Sequence, residues 1–340
     1  MFSPFAFLVR LYLPISAAIV LGVLISFFLG LTVFRRRFKY PLNREIPAYL
    51  GKFLFMAGVP LSIINFLHQA DLSGSVLLAP VVAWVAILMA FLCSRLWIRP
   101  NQAHWARASQ GSFSLASMFG NTGYIGFPVI LLLPQLGPDY FGWALFYDVL
   151  GTLLGAYILG VILAAHFGSQ RRSGKQSSLP PQSGKRPPFR NRATLQEVLK
   201  NPTMLAFVLG LALRPVPWLN CLEVSLNGFA WLMVMLSLVL MGMRLQQLSS
   251  WRNLKPALVT VGIKMILIPL LVGMALTSFD FEGPPRLVMV LQAGMPCAFA
   301  TLVLAETYNL DRDLAVTSVG LSSALLLVTL PLWLWGFCTW

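Results

Sequence analysis

Apolar stretches long enough to cross a lipid bilayer recur along the whole 340-residue chain. A membrane-crossing helix needs roughly 20 predominantly apolar residues. No ordinary soluble core could bury so many segments of this kind. The sequence therefore predicts an all-α integral membrane protein with ten transmembrane helices. These spans are predicted at 11–34, 46–67, 75–98, 111–135, 141–167, 199–218, 222–245, 254–277, 285–308 and 313–338.

Composition and charge agree with a lipid environment. Only 11% of the residues are charged, whereas soluble domains average about 25%. The net charge of +14 would suit nucleic acid, but the basic residues fall in short clusters between the apolar stretches. We therefore expect the lipid bilayer as a partner and no nucleic acid.

Residue patterns for catalysis or for metal binding do not emerge from the sequence. The four cysteines are scattered, with no CxxC pair and no neighbouring pair of histidines. We find no nucleophile paired with a base and no phosphate-binding loop. The sequence predicts neither an enzyme nor a bound metal or cofactor.

Basic residues in the connections predict the orientation. With the N-terminus outside, nearly all of the 25 lysines and arginines fall on the inner side. Arg10, Arg214 and Arg286 then lie outside, and Lys264 lies within a span. We predict a multi-pass protein of the cell (inner) membrane with both termini outside. The connection 168–198, rich in Ser, Pro and basic residues, is predicted to be a disordered cytoplasmic linker.

This linker separates two halves, 1–167 and 199–340, that resemble each other. Pro14 and Gly22 in PISAAIVLG match Pro202 and Gly210 in PTMLAFVLG. Five spans in each half place the second half upside down, which is the inverted-repeat plan of many secondary transporters. Two further pairs support the match, namely Pro80 with Pro256 and Gly120 with Gly294.

The fourth and ninth spans contain matched helix breakers. Residues 119–129 read FGNTGYIGFPV, and residues 291–300 read LQAGMPCAFA. Glycine and proline favour local unwinding, and unpaired backbone in a membrane must line a cavity or be held by protein. Two such breaks meeting near the midplane would offer helix N-termini to an anion such as a carboxylate. The alternative is that the glycines form a close-packing face and that Pro128 is a kink.

Candidate site residues follow from these breaks and from charges inside spans. Asp148 and Lys264 are ionisable residues within spans, so we consider a coupling or charge-relay role for both. Pairing with backbone or polar neighbours for structural reasons is the alternative. The predicted substrate-binding residues are Gly120, Asn121, Thr122, Gly123, Pro128, Met295, Pro296 and Cys297.

The same stretches resemble the auxin efflux carrier family, which includes plant PIN-type exporters and bacterial dicarboxylate permeases. Residues 121–128, NTGYIGFP, fit that family's Asn-Thr-x-x-x-Gly-x-Pro pattern. Residues 292–296, 305–309 and 330–331 resemble its C-terminal part. In two places the chain departs from relatives, with Lys264 where arginine is frequent and Cys297 where a polar residue is frequent.

The resemblance implies a fold and a site. The fold would be a ten-span inverted repeat like that of bile-acid/sodium symporters, with crossing helices 4 and 9 at the substrate site. Spans 1, 2, 6 and 7 would form a scaffold that often forms a homodimer, and spans 3–5 and 8–10 a moving transport domain. Asn121 would contact a substrate carboxylate, and Pro128 and Pro296 would shape the crossing.

The predicted function is secondary transport of a small organic anion by alternating access. Export of a carboxylate, either an auxin-like acid or a dicarboxylate, is the simplest form. The alternative is a membrane receptor that binds a small acid without moving it.

Overall fold

The computed structural model describes residues 4–30, 42–72, 74–101, 105–168, 198–247 and 253–337. Regular structure in these ranges is helical, and the one β feature recorded there is an isolated bridge between Gly120 and Cys297. The helices are α1 Pro4–Gly30, α2 Leu42–Phe53 continuing through Leu54–Gly58 and Val59–Gln69, α3 Leu78–Asn101, α4a Arg107–Met118, α4b Thr122–Leu132, α5 Phe141–Gly168, α6 Pro202–Leu213, α7 Asn220–Gln247, α8 Leu254–Ser278, α9a Pro284–Ala293, α9b Phe299–Thr307 and α10 Arg312–Phe337.

Six helices of the described part are long and apolar enough to cross a membrane, and they lie in α2, α3, α5, α7, α8 and α10. This confirms an all-helical, multi-pass membrane protein. Shorter apolar helices lie at Leu13–Leu29, Thr122–Leu132 and Pro202–Leu213. At about 1.5 Å per residue, the 12 residues of α6 extend only about 18 Å. This helix is therefore shorter than the predicted span at 199–218.

The first predicted span and the predicted linker lie partly outside the described ranges. Helix α1 begins at Pro4, before the predicted start at residue 11, and residues 31–34 of that span lie outside the described ranges. Most of the predicted linker also lies outside them, since residues 169–197 are not described. The two ends of the linker are ordered, because Gly168 ends α5 and Val198 is buried.

The helices form two packed groups. In the first group, α1 packs most extensively on α7, α6 packs on α2, and α7 also packs on α2. Glycines allow these close approaches, because a Cβ at Gly22 would meet the backbone of Val239, and one at Gly210 would meet Leu67. The second group contains α3, α4a, α4b, α5, α8, α9a, α9b and α10.

Three helices widen into a π turn just before a proline. The π segments are Leu54–Gly58, Thr122–Gly126 and Gly262–Leu267, and each is followed by a proline in the first turn of the next α segment. Proline lacks an N–H and its ring clashes with the carbonyl four residues back. A wider turn separates that carbonyl from the ring, so the helix continues past the proline.

Candidate functional site

The fourth span is interrupted at residues 119–121. Helix α4a ends at Met118, and Phe119 has extended backbone angles (φ −104°, ψ 123°). Asn121 then starts α4b, because its Oδ1 accepts a hydrogen bond from the Tyr124 N–H at 3.2 Å. Asparagine is among the best residues for this N-cap position. Pro128 lies inside the resumed helix, so the prediction that the chain unwinds at this proline is wrong.

The ninth span is interrupted at residues 294–298. Helix α9a ends at Ala293, and α9b begins at Phe299. Pro296 lies inside this break, as predicted, so its missing N–H costs no helical hydrogen bond. Both broken spans therefore consist of two short helices joined by a non-helical segment.

The two breaks pair with each other through their backbones. The Asn121 N–H donates to the Pro296 carbonyl at 2.7 Å, and the Ala298 N–H donates to the Phe119 carbonyl at 2.9 Å. Gly120 and Cys297 lie opposite each other in this antiparallel bridge. Backbone groups that leave a helix in a membrane must find partners within the protein. Here each break supplies partners for the other.

Buried side chains hold the crossing from behind. The Ser322 hydroxyl of α10 accepts a hydrogen bond from the Cys297 N–H at 3.0 Å. Lys264 of α8 donates from Nζ to the Ala293 carbonyl at 3.0 Å. Ala293 is the last residue of α9a, where carbonyls lack helical partners and a cation is favourable. This geometry gives Lys264 a helix-capping role.

Gly120 fits where a larger residue would not. A Cβ at this position would lie 3.0 Å from Lys264 Cε, 3.2 Å from Lys264 Nζ and 3.2 Å from the Met295 carbonyl oxygen. The absence of a side chain therefore allows Lys264 and the second break to approach the first.

A cavity of about 250 Å³ lies against the crossing, between the two groups of helices. Helices α2 and α6 contribute from the first group, and α4b, α5 and α9b contribute from the second. The first residues of α4b and of α9b both face it. Its lining residues are Phe55, Val59, Phe119, Gly120, Asn121, Thr122, Gly123, Tyr124, Phe127, Asp148, Thr152, Leu153, Ala156, Tyr157, Asn201, Thr203, Ala298, Phe299 and Ala300.

Polar groups in this lining already contact one another. The Thr122 hydroxyl donates to Asp148 Oδ1, which joins α4b to α5. Asn201 Nδ2 donates to the Tyr157 hydroxyl at 3.3 Å, which joins α6 to α5. The Asn121 amide nitrogen lies 3.9 Å from the Met241 sulfur, a weak acceptor. A ligand oxygen would be a better partner for that donor.

The structure brings together only part of the predicted site. Among the predicted residues, Gly120, Asn121, Thr122, Gly123 and Asp148 line the cavity. The others do not, since Pro128 borders a much smaller cavity of about 20 Å³, and Met295, Pro296, Cys297 and Lys264 support the crossing.

Several lining residues were missed from the sequence. Tyr157 and Thr152 lie on α5, and Asn201 and Thr203 lie at the start of α6. Asn201 carried one local signal, because an asparagine before Pro202 is a typical N-cap, and its Oδ1 does accept from the Thr203 N–H at 2.8 Å. In the described part of the chain, no group of three or more His, Cys, Asp or Glu residues is placed to hold a metal.

Comparison with known proteins identifies the family. Residues 20–334 match the model of a family described as "Membrane transport protein". An uncharacterized transporter of Methanothermobacter thermautotrophicus is 26% identical over 324 residues, covering 94% of this chain and 97% of that protein. An uncharacterized transporter of Methanocaldococcus jannaschii is 26% identical over 225 residues, covering 66% of this chain and 68% of that protein. The chain therefore belongs to the membrane transport protein family that includes the auxin efflux carriers, and it is a transporter and not an enzyme.

Proposed function

We propose that this transporter moves a small organic anion, most simply a carboxylate, by alternating access at the crossing of its two broken helices. The observation that carries the proposal is the cavity of about 250 Å³ at that crossing, faced by the N-termini of α4b and α9b. Helix N-termini carry partial positive charge and unpaired N–H groups, which favour an anion. The amide of Asn121 adds a neutral donor.

The shape and chemistry of the lining favour an acid with an apolar body. Aromatic rings form much of the wall, from Phe55, Phe119, Tyr124, Phe127 and Phe299. Small-molecule sites combine such a wall with a few polar groups that fix orientation. Between auxin-like acids and dicarboxylates, these rings favour a substrate with one carboxylate attached to an aromatic ring or an apolar chain.

Asp148 supports coupling to a proton. Its carboxyl group lines the cavity beside Gly123 and bonds to Thr122. An ionised Asp148 would repel a bound anion, so we propose that Asp148 is protonated when the substrate carboxylate is bound. With the inside negative, an anion is driven outward by about 2.3 kcal/mol per charge per 100 mV. A cycle that carries one proton with the anion would not use that driving force.

The helix packing supports an inverted repeat of ten spans, as predicted for residues 1–167 and 199–340. Gly22 lets α1 approach α7, and its sequence counterpart Gly210 lets α6 approach α2. If α1 corresponds to α6 and α2 to α7, these two contacts are equivalent. Pro80 and Pro256 are also the third residues of α3 and α8. Pro14 and Pro202 differ, because one lies inside α1 and the other begins α6.

The position of the cavity supports alternating access. In our proposal α1, α2, α6 and α7 form the scaffold, and the second group of helices moves against it. Because both groups line the cavity, such a movement would carry the bound anion between the two sides of the membrane. We further propose an inner-membrane location with both termini outside, and a homodimer formed through the scaffold.

The test is flux through purified protein in liposomes. Vesicles that contain wild type and are loaded with radiolabelled phenylacetate should release it faster than loaded protein-free vesicles. The difference should persist with and without an imposed potential, because carrying one proton with each anion moves no net charge. Asn121→Ala should lower the flux roughly tenfold, because a hydrogen bond to a charged group is lost. Asn227→Ala is the matched control, since Asn227 lies on α7 outside the cavity lining.

Two outcomes would oppose the proposal. Organic-anion transport would be rejected if vesicles with the protein released neither phenylacetate nor succinate faster than protein-free vesicles. Saturable binding of these acids without flux would favour the receptor alternative.

A further inference from the structure

Arg244 lies at the edge of the cavity without belonging to its lining. This residue is near the C-terminal end of α7, and its guanidinium carbon is 5.0 Å from the ring centroid of Phe299 and 5.9 Å from that of Tyr124. Both distances fall within the roughly 6 Å range of cation–π contacts. Tyr124 and Phe299 line the cavity from α4b and α9b. One guanidinium therefore contacts both broken helices beside the site.

The charges around the cavity make this position important. Among its described lining residues, the carboxyl group belongs to Asp148, and lysine and arginine are absent. Lys264 already donates a hydrogen bond to the Ala293 carbonyl behind the crossing. In addition to the helix N-termini, a bound carboxylate would gain a positive partner from Arg244 at the edge.

The guanidinium of Arg244 has hydrogen-bonding capacity to offer. Within the described ranges, no carboxylate forms an ion pair with it. A Cβ at Gly51 would collide with Arg244 Nη2, so the glycine in α2 makes room for the group. A guanidinium stacked on rings keeps its N–H groups at its edge, and their planar fork matches a carboxylate.

The geometry points to Arg244 as a specificity-determining residue that binds the substrate carboxylate at the edge of the cavity. This assignment rests on the proposed function and adds the residue that selects anions over neutral molecules of the same shape. Tyr124 and Phe299 hold the guanidinium in place, and the apolar body of the substrate occupies the aromatic part of the cavity.

A matched arginine separates this role from a general one. Basic residues at helix ends also direct membrane topology. Arg95 of α3 is such a residue, and its guanidinium carbon lies 5.7 Å from the Phe167 ring centroid. Neither Arg95 nor Phe167 is among the residues lining the cavity. Arg95→Gln therefore removes an equivalent cation–π contact away from the site.

The experiment compares an acid with its amide. Dissociation constants of phenylacetate and phenylacetamide are measured by ligand-induced thermal stabilisation of the purified full-length protein, alongside phenylacetate flux in liposomes. We expect Arg244→Gln to raise the Kd of phenylacetate by roughly tenfold or more, while the Kd of phenylacetamide stays within about twofold. Arg244→Lys should retain part of the affinity, because it keeps the charge but loses the fork. Arg95→Gln should match wild type.

Each remaining outcome overturns the assignment. An unchanged Kd and flux for phenylacetate in Arg244→Gln would reject Arg244 and leave the proposed function intact. Equal weakening of acid and amide would mean that Arg244 only maintains the fold of the site. Wild type that neither binds nor carries phenylacetate faster than empty vesicles would reject the proposed function together with this assignment.

Discussion

The two breaks look alike in the sequence but differ in what they contribute. The break in the fourth span places Gly120, Asn121, Thr122 and Gly123 on the cavity. In the ninth span, residues 294–297 are absent from the lining, and the contribution begins at Ala298. The two breaks thus differ in role, because one lines the cavity and the other pairs with it through backbone hydrogen bonds. The predictions below test that difference.

The largest effect is expected where the two breaks approach most closely. Gly120→Val would force a branched side chain against Lys264 and the Met295 carbonyl. We expect loss of roughly 3 kcal/mol of stability, at the upper end for overpacking. Thermal unfolding in detergent measures the change. Gly262→Val is a comparison at a glycine with open space around its Cβ position, and equal destabilisation by both would contradict the close approach at Gly120.

An intermediate effect is expected behind the ninth-span break. Ser322→Ala removes the acceptor of the buried Cys297 N–H, so we expect a cost of about 2 kcal/mol. Ser323→Ala is the matched control, because that hydroxyl bonds to the Val319 carbonyl within α10. If both variants lowered the unfolding temperature by the same amount, Ser322 would not specifically support the break.

The smallest effect is expected from Cys297 itself. Cys297→Ala should cost about 1 kcal/mol of stability from lost core packing, and carboxylate flux should stay within about twofold of wild type. Its side chain packs with Ala116 and Val319, and its backbone forms the bridge, which alanine preserves. A loss of flux as large as that of Asn121→Ala would assign a substrate-binding role to the ninth-span break as well.

The sequence predicted the breaks because their causes are local. Clustered glycines and a proline disfavour a continuous helix, and hydropathy places these clusters inside spans. The side-chain directions at each break depend on the neighbouring helices, so Cys297 and Asn121 could not be distinguished from the sequence. Tyr157 and Asn201 reach the cavity from α5 and α6 through tertiary packing, and Asp148 was identified because an acid inside a span is conspicuous.

Pro128 illustrates the limit of a local rule. Proline opposes helix continuity, but the π turn at Thr122–Gly126 accommodates this one, and the chain unwinds instead at Phe119–Asn121. The partner for that unwound segment comes from Pro296 and Ala298, far away in the sequence. Local residue types therefore predict that this helix opens, and the long-range pairing coincides with the residues at which it opens.

The backbone bridge between the breaks has a consequence for how such transporters diversify. Its hydrogen bonds run from Asn121 N–H to Pro296 O and from Ala298 N–H to Phe119 O, and neither uses a side chain. Amino acids that line the cavity beside the bridge can therefore change without removing its hydrogen bonds. Under the proposed function, substitutions among the other lining residues could change the substrate of a relative while these two backbone hydrogen bonds hold the crossing together.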